Sequence, residues 1–459
     1  MKKLRYIFFL MLLAASTGCE KFLDYPPEGA ILAEDALNTP DDMQRLLNSC
    51  YDVLANVFDG SFQNMSELMS DNLAFPNGLD FQAVYNRETN FFTPYTNGVY
   101  ADFYYTIYRC NTLLANFDLI EGLSTSDRAR MEAEARFVRG FCHYYVSTLW
   151  AQPYGSTGDN SHLSVVLRKE PTNLPLPRNN AAEVYAYVLA DLEYAYNNLP
   201  EVNSVYATKY AAAGLLSMVH FQMNQFSQAV NYADEVINSG LYFMNDTIDH
   251  FPSNDTLFLA YDNPETVFGI VSFQNDVRTD EFIGNYNSAG ALAPALTLSS
   301  EFNSLMNQNA ADQRKAWIEV DGSLYLSNKF AGKTVFNVPL IYLTELKLIR
   351  AEALGELNTN LSMAISDIND IRDRAFGEDL NDLPADASAQ QIITAAREEY
   401  RKETVCEGKW LLQLKRRGAK GENITIRNAP WDCPGMALQF PNSEFTGNSF
   451  VGNPEGGCQ

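Results

Sequence analysis

Histidine is scarce in this chain, with four in 459 residues, and none falls in an HExxH or similar metal-ligand spacing. His143 and His220 sit within apolar helical stretches, where a buried, hydrogen-bonded imidazole is expected, and His162 and His250 stand alone. No CxxC pair occurs among the seven cysteines, which removes zinc ribbons and thioredoxin-type redox sites. A GxSxG elbow, a phosphate-cradling glycine loop and an EF-hand spacing are all missing, and the serine of YGSTG has the wrong spacing for a nucleophile. No catalytic residue, metal or cofactor is therefore assigned, and the chain is read as a non-enzyme. Two of its 57 acidic residues could still meet at glycosidase distance by folding alone. Basic residues are also few: 33 against those 57 give a net charge of -24. So acidic a body argues against nucleic acid or an anionic membrane face as the ligand, and mildly favours a neutral or cationic one unless a local basic patch overrides it.

Long apolar runs are missing too. The longest candidate, Ile7–Ala15, has nine residues, against the roughly 20 needed to cross a bilayer as a helix. With Lys2, Lys3 and Arg5 before it and small residues after it, residues 1–18 read as a secretory signal peptide. The Ser16-Thr17-Gly18-Cys19 ending resembles the bacterial lipobox, with Ser16 where leucine is usual. The expectation is that Cys19 is lipidated and becomes the new N-terminus, followed by a tether over 19–40. Each buried acyl methylene would contribute about 0.8 kcal/mol to anchoring.

What the chain does have is helical periodicity. Val138, Cys142, Tyr145 and Leu149 mark one apolar stripe, and Val188, Leu192, Ala195 and Leu199 another that ends at Pro200. ATKYAAAGLLSMVHFQM and FSQAVNYADEVINSG form a pair whose small alanines and following amphipathic helix match a tetratricopeptide repeat. A second such unit follows, with Tyr342, Leu346, Ile349 and Ala353 on one stripe and Leu361, Ala364, Ile368 and Ile371 on the next. Helix pairs of this kind bury their apolar faces only by stacking. The periodicity is equally compatible with generic helical hairpins. The texture changes over 241–339, where Gly, Pro, Asn and Asp are scattered among short β-type runs such as TVFGIVSF. Trp317, in KAWIEV, is expected in the core. A charged helix is expected from about Ala389 to Arg417. The fold class is mainly α: a tetratricopeptide-like helical-repeat scaffold with large loop and short-strand insertions. Its body spans 41–376, with the insertion at 241–339, and a C-terminal segment spans 377–459.

Cys50, Cys110 and Cys142 fall on apolar helical faces and are expected as buried small hydrophobes. Cys433 and Cys458 lie in Gly/Pro/Asn-rich sequence with little core nearby. In an oxidising compartment, a disulfide between them would contribute about 3–4 kcal/mol.

Four stretches in order carry a resemblance. They are CEKFLDYPPEG after the lipobox, EARFVRGFCHYYVSTLWAQPYG, ELKLIRAEALGELNTNLSMAISDINDIRDRA and EEYRKETVCEGKWLLQLKRRG. Together they resemble the SusD/RagB family of outer-membrane nutrient-binding lipoproteins over nearly the whole chain from Cys19. Trp410 stands where the family usually has Arg, Gln413 where it has Asp, and Thr404 where it has Leu. These positions are expected to belong to a structural charge network. The tail LQFPNSEFTGNSFVGNPEGG is only loosely similar to the family's ending. The resemblance implies a SusD-like fold on the outer leaflet of a Gram-negative outer membrane and a SusC-like TonB-dependent transporter as partner. It also implies binding of oligosaccharide, or of peptide in RagB-like members, without catalysis.

A sugar offers an apolar C–H face and a rim of hydroxyls, so its site needs flat aromatics edged by polar side chains. Loop aromatics beside such residues are the candidates: Tyr85 with Asn86 and Arg87, then Phe92, Tyr95 and Asn97, then Asn285 and Tyr286. Ordinary loop packing is the alternative for each. The resulting reading is a surface lipoprotein that binds an oligosaccharide or other oligomeric nutrient and delivers it to a transporter. The competing readings are peptide capture, a surface glycan-cleaving enzyme, and a repeat scaffold that binds only proteins.

Overall fold

The computed structural model describes residues 37–253, 261, 263–273, 278–287, 293–446, 449–454 and 458. Cys19 and the leader lie outside the described residues. The chain opens with α1 (Pro40–Val57), α2 (Ser61–Met69), α3 (Leu79–Tyr85), α4 (Pro94–Asn116) and α5 (Thr125–Trp150). It continues through α6 (Ala181–Asn198), α7 (Lys209–Gln222) and α8 (Phe226–Ile237). Between 266 and 342 come β1 (Thr266–Ile270), α9 (Asp280–Tyr286), α10 (Ser300–Met306), β2 (Ile318–Asp321), β3 (Leu324–Ser327) and β4 (Val338–Tyr342). Then follow α11 (Leu343–Leu357), α12 (Leu361–Phe376), α13 (Ala389–Glu403), α14 (Trp410–Ala419), β5 (Thr425–Ile426) and β6 (Ala429–Pro430).

Local chemistry sets the helix ends. Thr39, Asn180 and Ser388 each close a capping box with the side chain three residues on, satisfying backbone N–H groups that a first turn leaves open. The turns after α7 and α11 place Asn224, Asn358 and Asn360 in the left-handed region, where Asn is better tolerated than most residues. Helices α4 to α8 pack in sequence, each on the next. The chain leaves this stack after α8 and returns at α11, which packs directly on α8 and then on α12 and α13. The two repeat units read from sequence are therefore spatial neighbours despite the hundred or so residues between them. β1 and β4 pair antiparallel where the excursion departs and returns. Against them, Gly214 of α7 admits β4 because a Cβ there would stand 2.6 Å from Ile341 Cγ2.

The tetratricopeptide-like α fold and the buried state of Cys50, Cys110, Cys142, His143 and His220 are as expected. Trp317 is also buried, although it closes a 3-10 turn and β2 begins only at Ile318. The single helix expected over 389–417 is instead two, α13 and α14, broken at 404–409. The break is tertiary in origin. The backbone at Gly408 (φ 73) comes so close to α2 that a Cβ would meet Gln63 Cα at 2.7 Å. There Ser66 Oγ donates to the Gly408 carbonyl at 2.6 Å, and the Gly408 N–H donates to Glu67 at 3.0 Å.

Buried ion pairs knit the C-terminal helices to the excursion. Arg314 lies 2.8 Å from each of Asp312, Glu399 and Glu403, and Glu403 also pairs with Arg374 and with His250 Nε2 at 2.6 Å. Burial alone would raise the Glu403 pKa, but Arg374, His250 and Arg314 outweigh it and hold the carboxyl far below its usual range. Gln413 belongs to the neighbouring group, donating to Glu352 at 2.9 Å and accepting from Arg416 at 2.7 Å. Trp410 donates from Nε1 to Asp71 at 2.8 Å. Two of the three departures from the family pattern thus sit in the charge network, whereas the Thr404 hydroxyl donates to the Tyr400 carbonyl of its own helix at 2.6 Å.

Candidate functional site

The segment 71–77 runs beside 295–299, tied by Ala74 N to Thr297 O at 2.9 Å, Asn77 N to Ala295 O at 3.0 Å and Ser299 N to Asn72 O at 2.8 Å. α3 follows, and its end sets the first functional side chain. The Arg87 N–H donates to Val84 O at 3.0 Å and that of Glu88 to Ala83 O at 2.9 Å, the two bonds of a Schellman cap. The residue turned left-handed in such a cap is usually glycine; here it is Arg87, with φ 63.

Facing it, β5 and β6 are joined by a two-residue turn, Arg427-Asn428, with φ 47 and 66. Positive φ at both central residues suits the twist of a hairpin, and an arginine in the first of them is strained. Arg87 Nη2 donates to the Ile426 carbonyl at 2.5 Å, which ties the cap to the hairpin. Arg427 lies 3.6 Å from the centroid of the Tyr85 ring and donates to the Leu68 carbonyl at 2.9 Å. The turn at Gly435 passes directly under Arg87, since a Cβ there would stand 2.2 Å from the Arg87 carbonyl oxygen.

These pieces enclose an open cleft of about 650 Å³ whose walls come from five separate stretches: 71–74, 85–87, 299–301, 425–428 and Cys458. Cys458 is bonded to Cys433, with a Cα separation of 5.5 Å, so the tail is fastened to this wall. Asp71, at the cleft edge, is held by Arg401 at 3.0 Å and by Trp410. Burial lowers the Arg87 pKa to about 10, and repulsion from Arg427 adds to the drop. Burial lowers Arg427 as well, opposed by Tyr85 and Asp71. Phe75, 57% exposed, meets the Tyr85 ring edge-on at 5.4 Å and leaves an apolar face beside the cleft.

Of the residues singled out from sequence, Tyr85, Asn86 and Arg87 meet in this cleft. Phe92 and Asn97 line a different, shallower groove of about 510 Å³ with Tyr100, Tyr104 and Pro441. Tyr95 does not present a free face: its ring packs on Phe81 at 5.1 Å and its hydroxyl donates to the Ser61 carbonyl at 3.2 Å. Tyr286 is buried in the core against Phe330, and Asn285 turns back onto Glu281 of its own helix. Both sit on α9, which the Gly/Asn-rich sequence disguised as a loop. The sequence reading missed Arg427, Asn428, Asp71 and Ser299. An Arg-Asn pair between TI and AP was the available turn signal for the first two.

A hollow of only about 30 Å³, room for one water molecule, lies within the core beside Glu345 and Lys409. Among the described residues, Asp373, Asp379 and Asp382 alone bring three potential metal-ligand oxygens within 4.8 Å of one another. They are partly or fully exposed carboxylates with no further ligand type, and no ion is assigned to them.

A family model described as starch-binding associating with outer membrane (SusD-like) matches residues 21–221, and a SusD family model (SusD/RagB) matches 238–430. The chain belongs to the SusD/RagB family. SusD-like protein P2 of Formosa agariphila is 26% identical over 432 residues, covering 82% of each chain. SusD-like protein P25 of the same organism is 24% identical over 301 residues, covering 61% of this chain and 53% of P25, so the match spans about half of that relative. Among solved structures, a SusD superfamily protein from Bacteroides thetaiotaomicron superposes with a TM-score of 0.76 at 21% identity, covering 91% of this chain and all (100%) of that one. A laminarin-binding SusD-like protein superposes at 0.69 with 21% identity over the same shares, 91% and 100%. At these identities the likeness shows a common SusD fold. The description of the first model names starch binding and association with the outer membrane. No described helix is long and apolar enough to cross a membrane.

Proposed function

We propose that the protein is a lipid-anchored surface lipoprotein that captures an oligosaccharide in the Arg87/Arg427 cleft and delivers it to a SusC-like TonB-dependent transporter. The observation that carries this reading is the cleft, in which an aromatic ring, two arginines, asparagine and serine groups converge from five parts of a SusD-family chain. The exposed Phe75 ring beside the cleft offers a face for the C–H side of a sugar, and Asn86, Asn428 and Ser300 offer groups for its hydroxyls. The cleft lining holds no free pair of carboxylates for glycoside cleavage. It has no histidine, its cysteine is bridged, and of its two carboxylates Asp71 is occupied by Arg401 and Trp410, which leaves Glu301 alone. Capture without turnover is the matching chemistry, and a laminarin-binding protein of the same fold supports a glycan as cargo.

Calorimetric titration of the purified protein against oligosaccharide and peptide libraries tests the capture. Saturable binding of a glycan that Arg427→Ala abolishes, with no shorter products by chromatography, is the expected result. Binding confined to peptides, or release of products, would overturn it. Labelled fatty acid should enter the intact protein and not Cys19→Ala, and an affinity-tagged copy should retain a TonB-dependent transporter from detergent-solubilised outer membranes.

A further inference from the structure

We infer that the Arg87/Arg427 cleft recognises an anionic substituent on its sugar ligand, a uronate carboxylate or a sulfate ester, with the two guanidiniums closing on its oxygens. The inference rests on the glycan-capture reading and narrows its ligand class.

Among the described arginines, only Arg87 and Arg427 combine two conditions. Neither has a described carboxylate within ion-pair reach, and each keeps a buried Nε with no hydrogen-bond partner among the described residues. Arg374 and Arg416 also carry an unpartnered Nε, but both are paired with carboxylates. Arg178, likewise without a described carboxylate partner, instead donates from Nε, Nη1 and Nη2 to the carbonyls of Ser164, Val451 and Leu163. The cleft lining holds two carboxylates: Asp71, which is committed elsewhere, and the exposed Glu301, which accepts from Ser300 Oγ at 3.1 Å and pairs with neither arginine. Arg87 is 5% exposed, so its unused donor is buried rather than solvated.

Guanidinium donates and cannot accept, so the matching ligand atom is an acceptor oxygen. A neutral hydroxyl would accept a hydrogen bond but leave the repulsion between the two guanidiniums uncompensated. A carboxylate or sulfate neutralises that repulsion and forms hydrogen bonds roughly twice as strong as neutral ones. Both arginines are also held in left-handed backbone, at φ 63 and 47, in places that glycine or asparagine fills without strain. An otherwise acidic chain, at net charge -24, thus keeps a desolvated cationic spot inside a polar cleft. This reverses, at the site, the preference for neutral or cationic ligands that bulk charge suggested.

The test is isothermal titration of the purified protein with two matched panels. One holds oligouronates and sulfated oligosaccharides; the other holds the same chains after carboxyl reduction or desulfation. The expected result is that at least one anionic member binds about tenfold or more tighter than its neutralised counterpart, weakens as salt rises from 50 to 500 mM, and loses its advantage in Arg427→Gln and Arg87→Gln. Whether reduction or desulfation abolishes binding identifies the group. Equal binding of both panels, or binding of neutral chains alone, overturns the anion inference and leaves glycan capture standing. Failure of every member of both panels removes the two together. Should a variant not fold, as judged by its thermal transition, the wild-type comparison between panels still decides.

Discussion

The Arg427 guanidinium covers the Tyr85 ring at 3.6 Å, and each is positioned by a different end of the chain. A desolvated contact of this kind is worth roughly 1–2 kcal/mol. Tyr85→Ala, Arg427→Ala and the double variant should therefore show a coupling of that size in a double-mutant cycle by urea unfolding. Coupling near zero would mean that the stack is incidental.

Arg87 separates backbone cost from side-chain use. Glycine at the left-handed position of the cap relieves a strain of about 1 kcal/mol that alanine retains. Arg87→Gly should therefore be more stable than Arg87→Ala by about that amount in denaturant unfolding, while both lose ligand affinity. Equal stabilities would show that φ 63 is unstrained in solution.

Lys415 is buried in α14 with its ammonium donating to the Thr148 carbonyl at 3.0 Å, and burial lowers its pKa to about 7. Because the folded value lies below the unfolded value near 10.4, the unfolded chain binds more protons between the two, and this group's contribution to stability rises with pH across that window. The slope is at most about 1.4 kcal/mol per pH unit. Lys415→Met should accordingly stabilise most at pH 6, with the advantage shrinking by pH 9.5. A constant difference between wild type and variant across that range would rule out the shifted pKa.

Cys433 and Cys458 close a loop with a sequence separation of 25 residues. Their replacement by serine should lower stability by about 3 kcal/mol through the freer unfolded chain and weaken ligand binding, because Cys458 lines the cleft. Thermal melts and titrations on the same double variant read both effects.

The scaffold was legible in the sequence because its signals are local. Ala211, Ala212 and Ala213 beside Gly214, or Ile368 and Ile371 at helical spacing, state a helix and its buried face without knowledge of anything distant. The cleft was only partly legible. Arg87 and Ile426 are bonded across 339 positions, and nothing near Arg87 announces that pairing. A Schellman cap filled by arginine in place of glycine also hides the end of α3. Tyr286 was mistaken for a surface ring because its short helix carries Gly and Asn, while Phe330, which buries it, lies far along the chain. The break between α13 and α14 was missed for a related reason: α2 demands it, and Gly408 is its one local mark.

Because α8 and α11 touch directly, the scaffold is already continuous without the 241–339 excursion between them. That excursion supplies the Ser299–Glu301 wall, whereas Arg87 and Arg427 belong to the flanking frame. The molecule is thus divided like a tool with an interchangeable jaw: exchanging the Ser299–Glu301 wall should retune which ligand fits, and the handle stays intact as long as His250 and Arg314, which seat the excursion on α13, are kept.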